Sequence, residues 1–256
     1  MANYRSYILC ASPRTGSTLL CDLLASTGVA GRPDSFFRRQ SVSWWAAHLG
    51  VPDPSASAQP DAHRRFLKAV LAEGRGSTGI FGLRLMQETV ADLSARLGPL
   101  YPDLQGDAAR FDRAFGPTLY IHLSRPDKVA QAISFARAVQ SGLWHRAPDG
   151  TEIERLSPPE TPKYDAKLLR RLVGDFEAFD AAWTLCFARQ GIAPLHVSYD
   201  DLSAGPSLVL AEILERLGLD PALASGVTPG VARLADDVSL DWHRRYRADW
   251  HGPNPT

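Results

Sequence analysis

The chain has 256 residues, 45% of them hydrophobic, and its 28 basic and 28 acidic side chains cancel. That length and apolar content suit one large domain with a sizeable core, and the balanced charge excludes an overall field drawn to nucleic acid or an anionic membrane surface. No stretch approaches the roughly 18 apolar residues needed to cross a bilayer, and the first apolar run leads into a polar loop rather than a small-residue cleavage site, so neither a membrane span nor a signal peptide is expected.

Strand-like residues Tyr7 to Ala11 run into Ser12-Pro13-Arg14-Thr15-Gly16-Ser17-Thr18, and the helix-like Leu19 to Ala25 follows at once. Laid against the phosphate-loop pattern G-x-x-x-x-G-K-[ST], the segment keeps Gly16 and the final hydroxyl, Thr18, but has Ala11 for the first glycine and Ser17 for the lysine. The cation has moved inside the loop, to Arg14. Unpaired amides and a helix N-terminus still favour an anion there. Without the lysine that reaches the β and γ phosphates, the loop is poorly built for ATP.

The aromatic and basic stretch Phe36-Phe37-Arg38-Arg39 and the pair Trp44-Trp45 come next. The tryptophans suit either core or a sugar-stacking or subunit surface. Residues 52–60 read as an exposed loop insertion, and Asp61 as the N-cap of a helix carrying Phe66, Leu67, Val70 and Leu71 on one face. Ile80 to Met86 is a buried-strand candidate, Val90 to Leu97 a helix, and Pro99 to Gly116 irregular. Thr118 to Leu123 predicts a strand, ended by Ser124-Arg125-Pro126-Asp127, with a helix through Val129, Ile133 and Val139 behind it. Residues 141–162 form a second loop insertion, of the length that serves as a lid or acceptor site. A long helix over Leu168 to Ala188, a strand over Ala193 to Val197 and a helix over Leu208 to Leu217 follow. His196 reads as a core histidine, and Tyr199-Asp200-Asp201-Leu202 as a structural segment. Residues 235–256 form a basic C-terminal segment of the same single domain, 1–256.

Strands alternating with helices imply an α/β fold of the P-loop type, three layers with a central, mostly parallel sheet, whose ligands sit at the carboxyl ends of the strands. The loops after Ala11 and Leu123 then open on one edge and can face one nucleotide with phosphates at both ends. Cys10, Cys21 and Cys186 lie apart in apolar patterns, as expected of reduced cysteines in a cytoplasmic protein, and the seven histidines show no metal-ligand spacing.

The chain resembles cytosolic-type sulfotransferases, which use 3'-phosphoadenosine-5'-phosphosulfate. Pro13 to Thr18 resembles their 5'-phosphosulfate loop. Arg125 with Ser134 resembles their 3'-phosphate site, and Tyr199 to Leu202 their Tyr-Glu-Asp-Leu segment. Together with Ala11 to Leu20, Gly28-Val29-Ala30-Gly31, Gln131-Ala132-Ile133-Ser134-Phe135 and Trp242-His243-Arg244-Arg245-Tyr246-Arg247, the pattern is most similar to the mycobacterial trehalose 2-sulfotransferase family. The resemblance implies Arg14 as the catalytic cation, a donor cradle of Thr15, Gly16, Ser17 and Thr18, and a carbohydrate or other small-molecule acceptor. It also implies a homodimer with no metal cofactor. By the same resemblance Trp242, Arg244, Arg245 and Tyr246 close over the nucleotide, although an arginine-rich tail also suits a solvated helix face.

An acceptor hydroxyl needs a base within hydrogen-bonding reach. The trehalose-type enzymes place a glutamate directly before the Phe-Phe pair, where this chain has Ser35. Asp34 is the nearest carboxylate and the candidate base, with His48, His122 and Glu88 as alternatives. Two rival readings stand beside the sulfotransferase: a kinase with a degenerate loop using ATP, and a nucleotide-binding protein without transferase chemistry.

Overall fold

A computed structural model describes residues 4–56 and 59–251; parts of the 52–60 loop and of the C-terminal segment therefore lie outside the described residues. Strand β1 (Ser6–Ala11) leads through the glycine loop into α1 (Ser17–Ser26). Helices α2 (Val42–His48) and α3 (Pro60–Arg75) precede β2 (Phe81–Met86), and α4 (Val90–Leu97) and α5 (Asp107–Phe115) precede β3 (Thr118–Ser124). Then come α6 (Lys128–Ser141), a hairpin of β4 (Leu143–Arg146) and β5 (Glu152–Arg155), and the long α7 (Ala166–Gln190). Strand β6 (Leu195–Ser198) and helices α8 (Tyr199–Ala204), α9 (Pro206–Arg216) and α10 (Asp237–His251) complete the chain.

The main sheet is parallel, in the order β2-β1-β3-β6. Alternation along the central strand sends side chains to both faces, so β1 reads as a continuous apolar run rather than an alternating one. Ile8 and Cys10 pack with Phe66, Phe111, Phe115 and Trp183 on one face, while Tyr7, Leu9 and Ala11 pack with Leu20, Leu24 and Leu210 on the other. This is the expected three-layer α/β arrangement. Register aligns Ala11 with both Met86 and Leu123, and Ser124 with Ser198, so all four strands stop at one edge. The indole N–H of Trp183 donates to the Ala11 carbonyl at 3.0 Å, which satisfies the central strand where it gives way to the loop.

Four expectations need correction. Helix α3 begins at Pro60 with Gln59 as its N-cap, which puts Asp61 inside the first turn. The Pro99 to Gly116 stretch contains α5, whose buried Phe111, Ala114 and Phe115 fall at helical spacing. The 141–162 insertion holds the antiparallel hairpin β4–β5 rather than loop alone. His196 is exposed, because β6 is an edge strand; its ring lies 5.5 Å from that of the buried His122. Trp45 packs against the core while Trp44 is 58% exposed and stacked on His48. Cys10 and Cys21 are buried and all three cysteines are free. Among the described residues no helix is long and apolar enough to cross a membrane.

Candidate active site

Arg14 and Gly16 turn the chain from β1 into α1. Both adopt positive φ, 66° at Arg14 and 87° at Gly16. For glycine this is free of steric cost, and it lets the loop run close to whatever it holds; for arginine it is a strained conformation of the kind that clusters at functional sites. Gly16 caps α1 without any side-chain hydrogen bond, so the first amides of this ten-residue helix are left for a ligand. The loop is braced from outside. Gln131, fully buried on α6, donates its Nε2 to Ser12 Oγ at 3.0 Å and to the Pro13 carbonyl at 2.7 Å, and the Thr15 hydroxyl donates to the Ser12 carbonyl at 2.9 Å.

Beside it, the chain leaves β3 at Arg125. Only 7% of this residue is exposed; its guanidinium lies 4.3 Å from the centre of the Tyr199 ring and donates to the Arg14 carbonyl at 3.3 Å. Arg14 in turn donates from Nε to Ser134 Oγ at 2.9 Å and from Nη1 to the Trp144 carbonyl at 2.8 Å. Neither arginine is matched by a carboxylate salt bridge among the described residues. Burial, and then the like charge of Arg125, brings the Arg14 guanidinium down to about 10, and burial also lowers that of Arg125. Both stay protonated at neutral pH. Both line a cavity of about 1070 Å³ over the carboxyl edge of the sheet, with Gly16, Ser17, Thr18 and Ser134.

A family model described as Stf0 sulphotransferase matches residues 6–249. The chain belongs to the Stf0 sulphotransferase family. It is 32% identical to the trehalose 2-sulfotransferase of Mycobacterium tuberculosis (strain Erdman), covering 96% of this chain and 95% of that protein. It is 33% identical to the trehalose 2-sulfotransferase of Mycolicibacterium smegmatis, covering 95% of each. A crystal structure of a sulfotransferase from Alicyclobacillus acidocaldarius aligns over 97% of this chain and 93% of its own, at 14% identity and a TM-score of 0.43.

Of the loop residues named in the sequence, Arg14, Gly16, Ser17 and Thr18 line the cavity, whereas Thr15 is buried beneath it. Ser134 reaches Arg14 rather than standing apart beside Arg125. The C-terminal residues fall elsewhere. Trp242 and Tyr246 are buried against α6 and α7, and Arg244 and Arg245 pair with Asp241, Arg245 also stacking 3.9 Å from the Tyr164 ring centre. Helix α10 presents His243 to the cavity instead.

Asp34 does not line the cavity, whereas Ser35 does. One Asp34 carboxylate oxygen accepts the Ser35 amide at 2.5 Å and pairs with Arg84 at 3.5 Å. Among the alternatives, Glu88 lines the cavity but His48 and His122 do not. Arg84 itself was not singled out, although a lone arginine inside the apolar strand Phe-Gly-Leu-Arg-Leu-Met is a visible signal. Its Nε donates to Ser35 Oγ at 2.8 Å and its Nη1 to Thr18 Oγ1 at 2.9 Å, which places another cation on the cavity wall. Among the described residues no group of three His, Cys, Asp or Glu side chains is gathered as a metal site.

Proposed function

We propose that this chain transfers a sulfuryl group from 3'-phosphoadenosine-5'-phosphosulfate to a hydroxyl of a carbohydrate acceptor. The observation that carries the reading is the pairing of a partly buried Arg14 with a buried Arg125 just beyond the ends of two adjacent parallel strands, facing one cavity and left without carboxylate partners among the described residues. An anion at each end of one nucleotide satisfies both. The family and the two mycobacterial relatives, named for transfer to trehalose, support the sugar.

In the reaction an acceptor oxygen attacks sulfur as the bond to the 5'-phosphate breaks, so negative charge grows on the equatorial oxygens and the leaving phosphate. Fixed donors aimed at those atoms lower the barrier. Arg14 and the amides at the start of α1 supply them on the sulfuryl side. Arg125 holds the 3'-phosphate through a charge-assisted fork. A cytoplasmic homodimer accords with the family likeness, and sedimentation checks the dimer.

Incubation with labelled phosphosulfate donor and a panel of sugars including trehalose is expected to label at least one sugar. If ATP with magnesium raises the melting temperature and 3',5'-phosphoadenosine does not, the donor assignment fails in favour of a kinase. Arg125→Ala is expected to weaken 3',5'-phosphoadenosine about 10- to 100-fold, the worth of a hydrogen-bonded charge, and to shrink its stabilising effect accordingly. Unchanged affinity in a calorimetric titration would remove Arg125 from the 3'-phosphate.

A further inference from the structure

The hairpin β4–β5 carries a histidine–glutamate pair that the donor cradle does not use. His145 Nδ1 and Glu154 Oε2 lie 2.6 Å apart, and both residues line the cavity. A carboxylate only accepts, so Nδ1 bears the ring hydrogen, and Nε2 of the neutral ring is left to take a proton. The hydrogen bond from His145 holds the Glu154 carboxyl below its usual range. Glu154 is therefore an anion at neutral pH, able to stabilise an imidazolium.

The pair is tied to the sulfuryl side of the cavity. The carbonyl that accepts from Arg14 Nη1 belongs to Trp144, the residue directly before His145, and the Arg14 guanidinium lies 5.9 Å from the centre of the Trp144 ring. Of the other acidic groups on this wall, which include Glu88, Glu160 and Asp175, two are engaged elsewhere. Asp127 caps α6 and meets His243, and Asp236 forms a two-pronged pair with Arg137.

From this geometry we propose that His145 Nε2 is the general base for the acceptor hydroxyl and that Glu154 is its positioning residue, the pair replacing the carboxylate that Ser35 lacks. The inference rests on the sulfuryl-transfer reading above. In the step, the acceptor oxygen forms a bond to sulfur and the sulfur–oxygen bond to the 5'-phosphate breaks. The hydroxyl proton passes to His145 Nε2, and 3',5'-phosphoadenosine leaves with the bonding electron pair. Arg14, hydrogen-bonded to the carbonyl of the residue before the base, neutralises the transferring group.

Wild type, His145→Asn, His145→Ala, Glu154→Gln and Asp34→Asn are to be compared for turnover with labelled donor and for binding of 3',5'-phosphoadenosine. The asparagine can still donate to Glu154 but cannot take a proton. His145→Asn is expected to lower kcat by about 10²- to 10⁴-fold, the usual worth of a general base, with nucleotide affinity within about twofold of wild type. Glu154→Gln is expected to lower kcat about tenfold with little change in KM for the donor, Asp34→Asn to lose no more than about tenfold, and added imidazole to restore part of the His145→Ala activity. A His145→Asn enzyme within about threefold of wild type overturns the proposal. So does collapse of turnover in Asp34→Asn alone, which makes Asp34 the base. A wild type that neither binds 3',5'-phosphoadenosine nor transfers label instead overturns the donor reading.

Discussion

Arg14→Gly is expected to lose turnover by about 10³-fold or more without lowering the melting temperature of the nucleotide-free protein. The activity loss follows from removing the cation aimed at the transferring group. The stability result is a balance of opposed effects. Arginine at φ 66° carries a left-handed strain of about 1–2 kcal/mol that glycine does not. A depression of the guanidinium to about 10 marks a partly buried cation that desolvation and Arg125 both penalise, a cost on the order of 3 kcal/mol that disappears with the side chain. Against these stand the hydrogen bonds to Ser134 and Trp144 and the greater freedom of glycine in the unfolded chain, together of similar size. A steep fall in melting temperature would show that Arg14 holds the fold rather than the ligand. The sign of the pH dependence gives a second check. Because the folded value is depressed, the unfolded chain binds the extra proton above about pH 10, and wild-type stability gains there what it forfeits below. The glycine variant lacks that gain.

Gly16→Ala is expected to fail on both counts. A Cβ at this position would stand 2.8 Å from Tyr199 Cδ2 and 3.4 Å from Leu202 Cδ2, and φ is 87°. The strain of a left-handed alanine and the forced repacking add to about 2–5 kcal/mol, or a fall of roughly 5–15 °C for a chain of this size. Any shift of the loop also turns the α1 amides away from the leaving phosphate, so turnover should drop at least 100-fold. Calorimetry with the same donor assay separates the two losses. Retention of both wild-type stability and wild-type rate would show that the loop does not need this approach of Tyr199.

The sheet and the glycine loop at its carboxyl edge were legible because they rest on local signals. Continuous apolar runs mark strands buried on both faces, and Gly16 with Arg14 sits where a strand must turn into a helix. Arg125 was legible for the same reason, at the end of β3. Helix α5 escaped notice because only Phe111, Ala114 and Phe115 carry its buried face, between Pro102, Gly106 and Gly116. His145 and Glu154 escaped because their nine-residue separation becomes a contact only when the hairpin closes, a pairing that no periodicity announces. The C-terminal residues misled for the opposite reason. On α10, Trp242 and Tyr246 lie one turn apart and are drawn into the core with α6 and α7, which leaves His243 on the side facing the cavity.

The ring of Tyr199 touches both halves of the donor site. It fills the space a side chain on Gly16 would take, and it lies under Arg125, whose own guanidinium reaches back to the Arg14 carbonyl. The proposed phosphate-binding ends are therefore one cooperative unit rather than two independent handles. Free energies for binding each end alone will not sum to that of the whole nucleotide, and substitutions at Tyr199 and Arg125 will be non-additive. A nucleotide short of its 3'-phosphate forfeits more than one contact, since it leaves unsettled the arginine against which the catalytic loop is braced.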